Sequence, residues 1–393
     1  MEFKKIKIGH EPDLLVSKNR VARSYYSQLK IYIASKFNIF EENQFLEAKE
    51  AYEFIKPQSY SKLIFHPNFR KTLFELSDLK IALPSNPSDL EINFSLYGYP
   101  LNGKLVTEVE KFKKIKLDPI RGLKLYESGI NICGYDESIN KFLGLEGTAY
   151  LTSHCLIIHD DFDYVPINLL TFYFYTRSEA LTSRSQYIKF SEDPELDSKK
   201  DYILDRKKFL VDNVPKNSIL FIDGPLIGGQ MSSNTIELNN LLLKKGIIPI
   251  FFVKNSNSNL VTDNIIELNK TYNSDMHWSY KFLKKGERTS LFRYVDQYND
   301  NFAKIFCYIK GFNVSPQRIE IDINTFKKYS DVIINLFDLI YYLLLAQGNL
   351  KNPQIRTISI AEKYARNTLK LINLIETMKY LGITPTLNQE RFM

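Results

Sequence analysis

Asp136 and Asp223 each follow an apolar run: Ile130-Asn131-Ile132-Cys133-Gly134-Tyr135 before Asp136-Glu137-Ser138, and Ser218-Ile219-Leu220-Phe221-Ile222 before Asp223-Gly224-Pro225-Leu226. A short apolar run halted by Gly and Pro favours a strand over a helix. Each run is therefore expected to be a buried strand presenting a carboxylate at its C-terminal end. Rigid carboxylates are what a hard divalent cation needs from a protein, and such a cation can drive phosphodiester hydrolysis. The competing reading is a strand-end turn, because Asp-Gly-Pro is good turn chemistry.

The elements around these runs set their neighbours. After Asp223, a helix is expected from about Ser233 to Lys245, with Gly246 as its stop. The run Ile247 to Val253 then reads as a strand ending at Lys254. Strand, helix and strand with a crossover of this length make a βαβ unit. Its C-terminal edge gathers Asp223 and Lys254, where open α/β sheets place their chemistry. Upstream, Gly129 to Tyr175 reads as an antiparallel meander, and a helix is expected from about Ser198 to Val211. Further strands are expected at Leu291 to Val295 and at Ala303 to Ile309, with helices at Val332 to Gln347 and at Ser359 to Leu381.

The first third reads differently. Ser17 to Tyr60 has helical spacing, with Lys, Arg and Tyr interleaved. A loop at Pro84 to Ser88 precedes an alternating, strand-like stretch from Glu91 to Tyr99, and a soft boundary falls between Lys113 and Lys124. This divides the chain into an N-terminal helical region over 1–120 and a second domain over 121–393.

Composition bounds the function. The chain has 393 residues, 44% of them hydrophobic, enough for a sizeable core. Its net charge of +7 is compatible with a polyanion partner. Three widely spaced cysteines, Cys133, Cys155 and Cys307, argue against a zinc site or disulfide framework and for a reducing, cytoplasmic setting. No signal-peptide pattern opens the chain. The apolar run Val332 to Ala346 carries Asp338 and is too short to span a bilayer, so no membrane is expected. Gly228-Gly229 lacks the Gly-Lys-Ser/Thr of a P-loop, and no Gly-x-Ser-x-Gly elbow is present. His154, His159, Asp160, Asp161 and Asp163 form a His/Asp cluster that reads either as a metal site or as an acidic turn. His277-Trp278 reads as a packing pair. Basic and aromatic residues interleave from Tyr280 to Lys285 and from Arg288 to Tyr294, as a strand channel or as a solvated basic face.

Together, Ile222-Asp223-Gly224-Pro225-Leu226, the helix after it and Phe252-Val253-Lys254-Asn255-Ser256 resemble the NurA nuclease family. Asp136-Glu137-Ser138 takes the place of the family's first aspartate strand end, Ile360 to Ala365 that of its last helix, and Asn388 to Phe392 that of its closing segment. The resemblance covers about Gly129 to the C-terminus. It implies an α/β, RNase H-like mixed sheet flanked by helices. It further implies a Mn2+- (or Mg2+-) dependent nuclease acting on single-stranded DNA and DNA ends, a homodimer, and a HerA-type hexameric translocase as partner in end resection. On the nuclease reading, Asp136, on the expected central strand, bridges two metals and Asp223 completes one. The family's middle acid is matched best by Asp205, 18 residues before Asp223, ahead of Glu179 and Glu195. Glu362 stands where the family has a histidine, and as an oxygen ligand it can keep that role. Asp205 and Glu362 are the candidates for the second metal, and Lys254 for a phosphate contact. The departures at Glu137, Glu362 and the middle acid keep open a weakened accessory subunit that binds DNA without turnover. A different RNase H-like protein, such as an Argonaute PIWI-type module, is the third reading.

Overall fold

The runs that carry Asp136 and Asp223 pair side by side, in parallel, in the middle of one sheet. The computed structural model describes residues 104–387, except 161–162, 229–231, 266–267, 270 and 297–298. The expected N-terminal helices, the loop at residues 84–88, the strand at 91–99 and the closing segment at 388–392 lie outside the described residues, as do Asp161 and Gly229.

The described chain opens with β1 (Lys104–Glu108), β2 (Lys114–Lys116) and α1 (Pro119–Glu127). The expected meander follows as β3 (Asn131–Leu143), β4 (Thr148–Asp160) and β5 (Asp163–Thr176). Helix α2 (Glu179–Thr182) and strand β6 (Ile188–Phe190) lead into α3 (Pro194–Asn213). The βαβ unit is β7 (Ser218–Asp223), α4 (Ser232–Lys244) and β8 (Ile248–Val253). After α5 (Asp275–Phe282) come β9 (Glu287–Thr289), β10 (Phe292–Asp296), β11 (Asn299–Lys310) and β12 (Gln317–Asp322). Helices α6 (Ile323–Gln347), α7 (Arg356–Leu369) and α8 (Leu374–Tyr380) close the described chain.

The sheet runs β1-β10-β11-β12-β8-β7-β3-β4-β5-β6. Within it, β3, β7 and β8 are parallel, while β4 opposes both β3 and β5. The order β5-β4-β3-β7-β8 with one reversed strand is an RNase H-like core, extended on one side by β12, β11, β10 and β1. β7 and β8 are apolar almost throughout because both faces are covered. On one face, Phe209 and Leu210 of α3 pack with Leu220 and Ile222. On the other, Leu336, Phe337 and Ile340 of α6 pack with Ile219, Phe221 and Ile250. Helix α7 lies over β3 and β4, where Ala361 and Ala365 meet Cys155 and Ile157. Its approach is close enough that Gly134 leaves no room for a Cβ beneath Thr357.

Several expectations change. β1 and β2, which precede residue 120, pair into this sheet with β10 and β9. The single long helix expected over 359–381 is two, because Asn373 caps a new start by accepting from the Glu376 amide. Helix α6 begins at Ile323, where Asp322 caps it by accepting from the amides of Asn324 and Thr325. With 25 residues, α6 is long and apolar enough to cross a membrane by length and composition. Half of its apolar window is buried against the sheet, the position of a core helix.

Candidate active site

Asp136 is not at the end of its strand. β3 continues to Leu143 along β4, whereas its pairing with β7 stops at Tyr135 opposite Ile222. Asp136 therefore sits at the step where its parallel neighbour runs out. Asp223 ends that neighbour and Lys254 follows the end of β8. Gly224 makes the turn possible: its φ is +109, open to glycine at little cost, and its N–H donates to the Phe252 carbonyl at 2.8 Å. The sharp turn keeps Asp223 beside β8 while the chain departs.

Helix α7 brings the third carboxylate. Ligand oxygens of Asp136, Asp223 and Glu362 lie within 4.8 Å of one another. Lys254 Nζ stands 2.6 Å from Asp223 Oδ2 and 3.2 Å from Glu362 Oε2. Arg366 reaches Glu362 Oε1 at 2.6 Å, and the Gln354 amide donates to Glu362 Oε2 at 3.5 Å.

The electrostatics follow from burial and crowding. Burial first, then the charge of Asp223, push the Asp136 carboxyl up to about 7. Burial also raises Asp223, although Lys254 offsets part of that. Burial would raise Glu362 too, but Lys254 and Arg366 outweigh it and hold the group below the ordinary carboxylate value. Three hard oxygen donors that repel one another fit a divalent cation, because the ion relieves the repulsion that raises Asp136.

Asp205 is not brought to this group. It lies on α3, and its Oδ2 accepts the Tyr173 hydroxyl at 2.7 Å. Glu195 pairs with Lys199 on the exposed first turns of α3, and Glu179 lies on α2. Two members of the His/Asp cluster are accounted for by packing within the sheet. His154 is fully buried and shares a 2.7 Å hydrogen bond with the Tyr135 hydroxyl, while His159 stacks with Tyr164 and Tyr126. Trp278 is fully buried, packed on Phe282. Among the described residues, Asp136, Asp223 and Glu362 are the one group of this kind able to hold a metal ion.

A cavity of about 610 Å³ opens on the α3 side of Asp223, between Glu137, Arg206 and Thr235. Glu137 accepts the Tyr135 hydroxyl and faces Arg206 at 3.7 Å, and Arg206 donates to Thr235 Oγ1 at 3.0 Å. Sequence reasoning marked Glu137 only as a departure and missed Arg206. A lone arginine on an amphipathic helix carries no signal that it is buried against a glutamate.

The NurA domain family model matches residues 158–366, a span that holds Asp223, Lys254 and Glu362 and begins after Asp136. No curated protein matches the sequence. Similar solved structures include the NurA nuclease from Sulfolobus solfataricus, at 11% identity and TM-score 0.40, covering 69% of this chain and 88% of that one. Endonuclease V from Bacillus subtilis is similar at 9% identity and TM-score 0.32, over 65% of this chain and 84% of its own. The A. aeolicus Argonaute is similar at 15% identity and TM-score 0.27, over 60% of this chain and 28% of its own. The family model spans more than half of the 393 residues and takes in the ends of β7 and β8 and helix α7, and the chain belongs to the NurA domain family.

Proposed function

We propose that this protein is a divalent-metal-dependent nuclease that hydrolyses DNA, with Asp136, Asp223 and Glu362 holding the cation. Membership of the NurA family supports a nuclease. The observation that carries the metal reading is the convergence of those three carboxylates, from β3, β7 and α7, within 4.8 Å. When bound, Mn2+ or Mg2+ supplies charge stabilisation for a phosphoryl oxygen and a more acidic water. The chain's own part is to hold the oxygens and place positive charge beside them. Lys254 projects between Asp223 and Glu362, where its ammonium can meet a phosphate once the cation has taken over the carboxylates. Asp205 is not among the three carboxylates that converge, and its Oδ2 accepts the Tyr173 hydroxyl. With family membership we extend the proposal to a homodimer, a HerA-type hexameric translocase as partner and a role in cytoplasmic DNA end resection.

A weakened accessory subunit is the second reading. Lys254 and Arg366 together neutralise two of the three carboxylates, which favours a site that binds metal poorly.

The deciding experiment incubates the protein with end-labelled single- and double-stranded DNA in Mn2+, Mg2+ or EDTA, beside Asp136→Ala and Asp223→Ala. Cleavage that needs metal and disappears in both variants supports the nuclease. DNA binding without cleavage under either metal moves the protein to the accessory reading.

A further inference from the structure

The sheet edge that carries Asp223 and Lys254 continues past β8. Val253 opposes Arg318 of β12, and Gln317 opposes Ile309 of β11, so Lys310 ends β11 on the same edge as Lys254. Three strand spacings separate β7 from β11, on the order of 15 Å. β9 and β2 prolong the edge, with Glu287 opposite both Lys310 and Lys116.

This far end is basic. Lys116, Lys281, Lys284, Lys285 and Lys351 are all exposed. The acid among them is Glu287, which accepts the Lys284 amide at 2.7 Å. Two lysines lie over aromatic rings, and one of them, Lys310, is buried and donates to the carbonyls of Tyr280 and Leu283. Lys310 Nζ lies 3.8 Å from the centre of the exposed Tyr280 ring, and Lys285 Nζ lies 5.9 Å from that of Phe312. A cavity of about 600 Å³ opens between Lys285, Phe312, Asn313, Leu350 and Lys351.

The wall of this cavity is tied to the carboxylate centre by one loop. Asn349 donates its amide to the Asn352 carbonyl at 3.1 Å, and the Gln317 amide donates to Pro353. Gln354, the next residue, donates to Glu362. The same short segment therefore borders the basic cavity at one end and holds a site carboxylate at the other.

We infer that the cleft at Lys285, Phe312 and Lys351 binds the single nucleic-acid strand that runs on from the carboxylate centre, an inference that rests on the nuclease reading. Lysines pair with phosphates without regard to sequence, and each contact releases counterions. Aromatic faces take bases only when those bases are unstacked from a partner strand, which selects a single strand over a duplex. The cleft is a subsite for the flanking strand, remote from the bond that is cut.

The test uses the full chain in EDTA, so that binding is read without turnover. The probes are fluorescein-labelled oligothymidylates of about two and about 20 nucleotides, too short and long enough to reach from centre to cleft. The variants are Lys285→Glu/Lys351→Glu and, separately, Phe312→Leu. The double variant is expected to bind the long probe at least roughly ten-fold more weakly, with a log–log salt slope shallower by about 1.4 for two lost phosphate contacts. Phe312→Leu is expected to lose roughly five- to ten-fold on the long probe with the salt slope unchanged. The short probe is expected to bind weakly to all three proteins, because it makes too few contacts to span the cleft. Wild-type affinity and slope in the double variant overturn the inference, as does tighter binding of a duplex of the same length. Hydrolysis of the long probe in Mn2+ is measured in parallel. If the wild-type protein cuts nothing, the nuclease reading falls, while the EDTA titration still decides whether the cleft takes a strand.

Discussion

Lys254 Nζ lies 2.6 Å from Asp223 Oδ2, bridging the adjacent ends of β8 and β7. The same ammonium reaches Glu362 at 3.2 Å, so it occupies the space a cation needs. Metal and lysine then compete for the same oxygens. Lys254→Met is expected to cost about 1–3 kcal/mol without metal, because two half-buried carboxylates lose their shared partner. It is also expected to enlarge the rise in Tm on adding Mn2+, since binding to the folded state alone is what stabilises. Thermal melts in EDTA and in Mn2+ check this, and an unchanged metal-induced rise sinks the idea of competition.

Asp136 ties stability to pH in an unusual direction. Its carboxyl is raised from 3.8 to about 7, by burial and then by Asp223. The folded state holds this proton more tightly than the unfolded state does. The metal-free protein therefore loses stability as pH rises from about 4 to about 7, on the order of 2–4 kcal/mol from this one group. Asp136→Asn removes that slope. Its melting temperature in EDTA at pH 8 is expected to exceed that of the wild type, while cleavage is abolished. A variant that melts at or below the wild type at pH 8 refutes this.

Glu320 behaves in the opposite sense. It is fully buried at the centre of a charged cluster, accepting from Lys304, from Arg318 at 2.7 Å and from the Leu226 amide at 2.8 Å. Burial would raise its pKa, but Lys304 and Arg318 outweigh it and hold the carboxyl below 4.5. Its contribution is present above the unfolded-state value and is lost as pH falls through the lower folded-state value. Glu320→Gln is expected to cost about 3–5 kcal/mol, because two cations are left buried without a counter-charge. Adding Lys304→Met is expected to recover part of that loss. Urea unfolding at pH 7 checks both, and an additive double variant would show that the charges are not coupled.

The packing of α7 on β3 sets the position of Glu362. A Cβ on Gly134 would lie 2.5 Å from the Thr357 carbonyl carbon and 2.6 Å from its Cβ. Backbone contacts of that kind are relieved only by moving the helix. Gly134→Ala is expected to cost about 1–3 kcal/mol and to lower kcat at least roughly ten-fold by displacing Glu362. Turnover at saturating metal, measured well below the melting temperature, separates displacement from unfolding. Full turnover in a destabilised variant would mean that α7 does not set the site.

Asp136, Asp223 and Lys254 were legible from the sequence because each interrupts or follows an apolar run whose length already implies a strand. The βαβ unit and the meander were equally legible, since alternation and turn residues are local signals. Glu362 became a candidate only through resemblance, because nothing in the pattern of α7 distinguishes it from a solvated helix acid. Asp205 became a candidate as the best-spaced match to the family's middle acid, and spacing does not say which way a helical side chain points. The tertiary structure decided that Glu362 reaches the strand ends while Asp205 meets Tyr173. It also decided that Glu137 faces Arg206, one residue from Asp136 but on the other side of the sheet, as strand alternation requires. β12 was not foreseen, and with it the Glu320 cluster that holds the turn after Asp223. Its residues approach Lys304 and Leu226 only when distant strands pair, and pairing partners are chosen by the whole core rather than by any one segment.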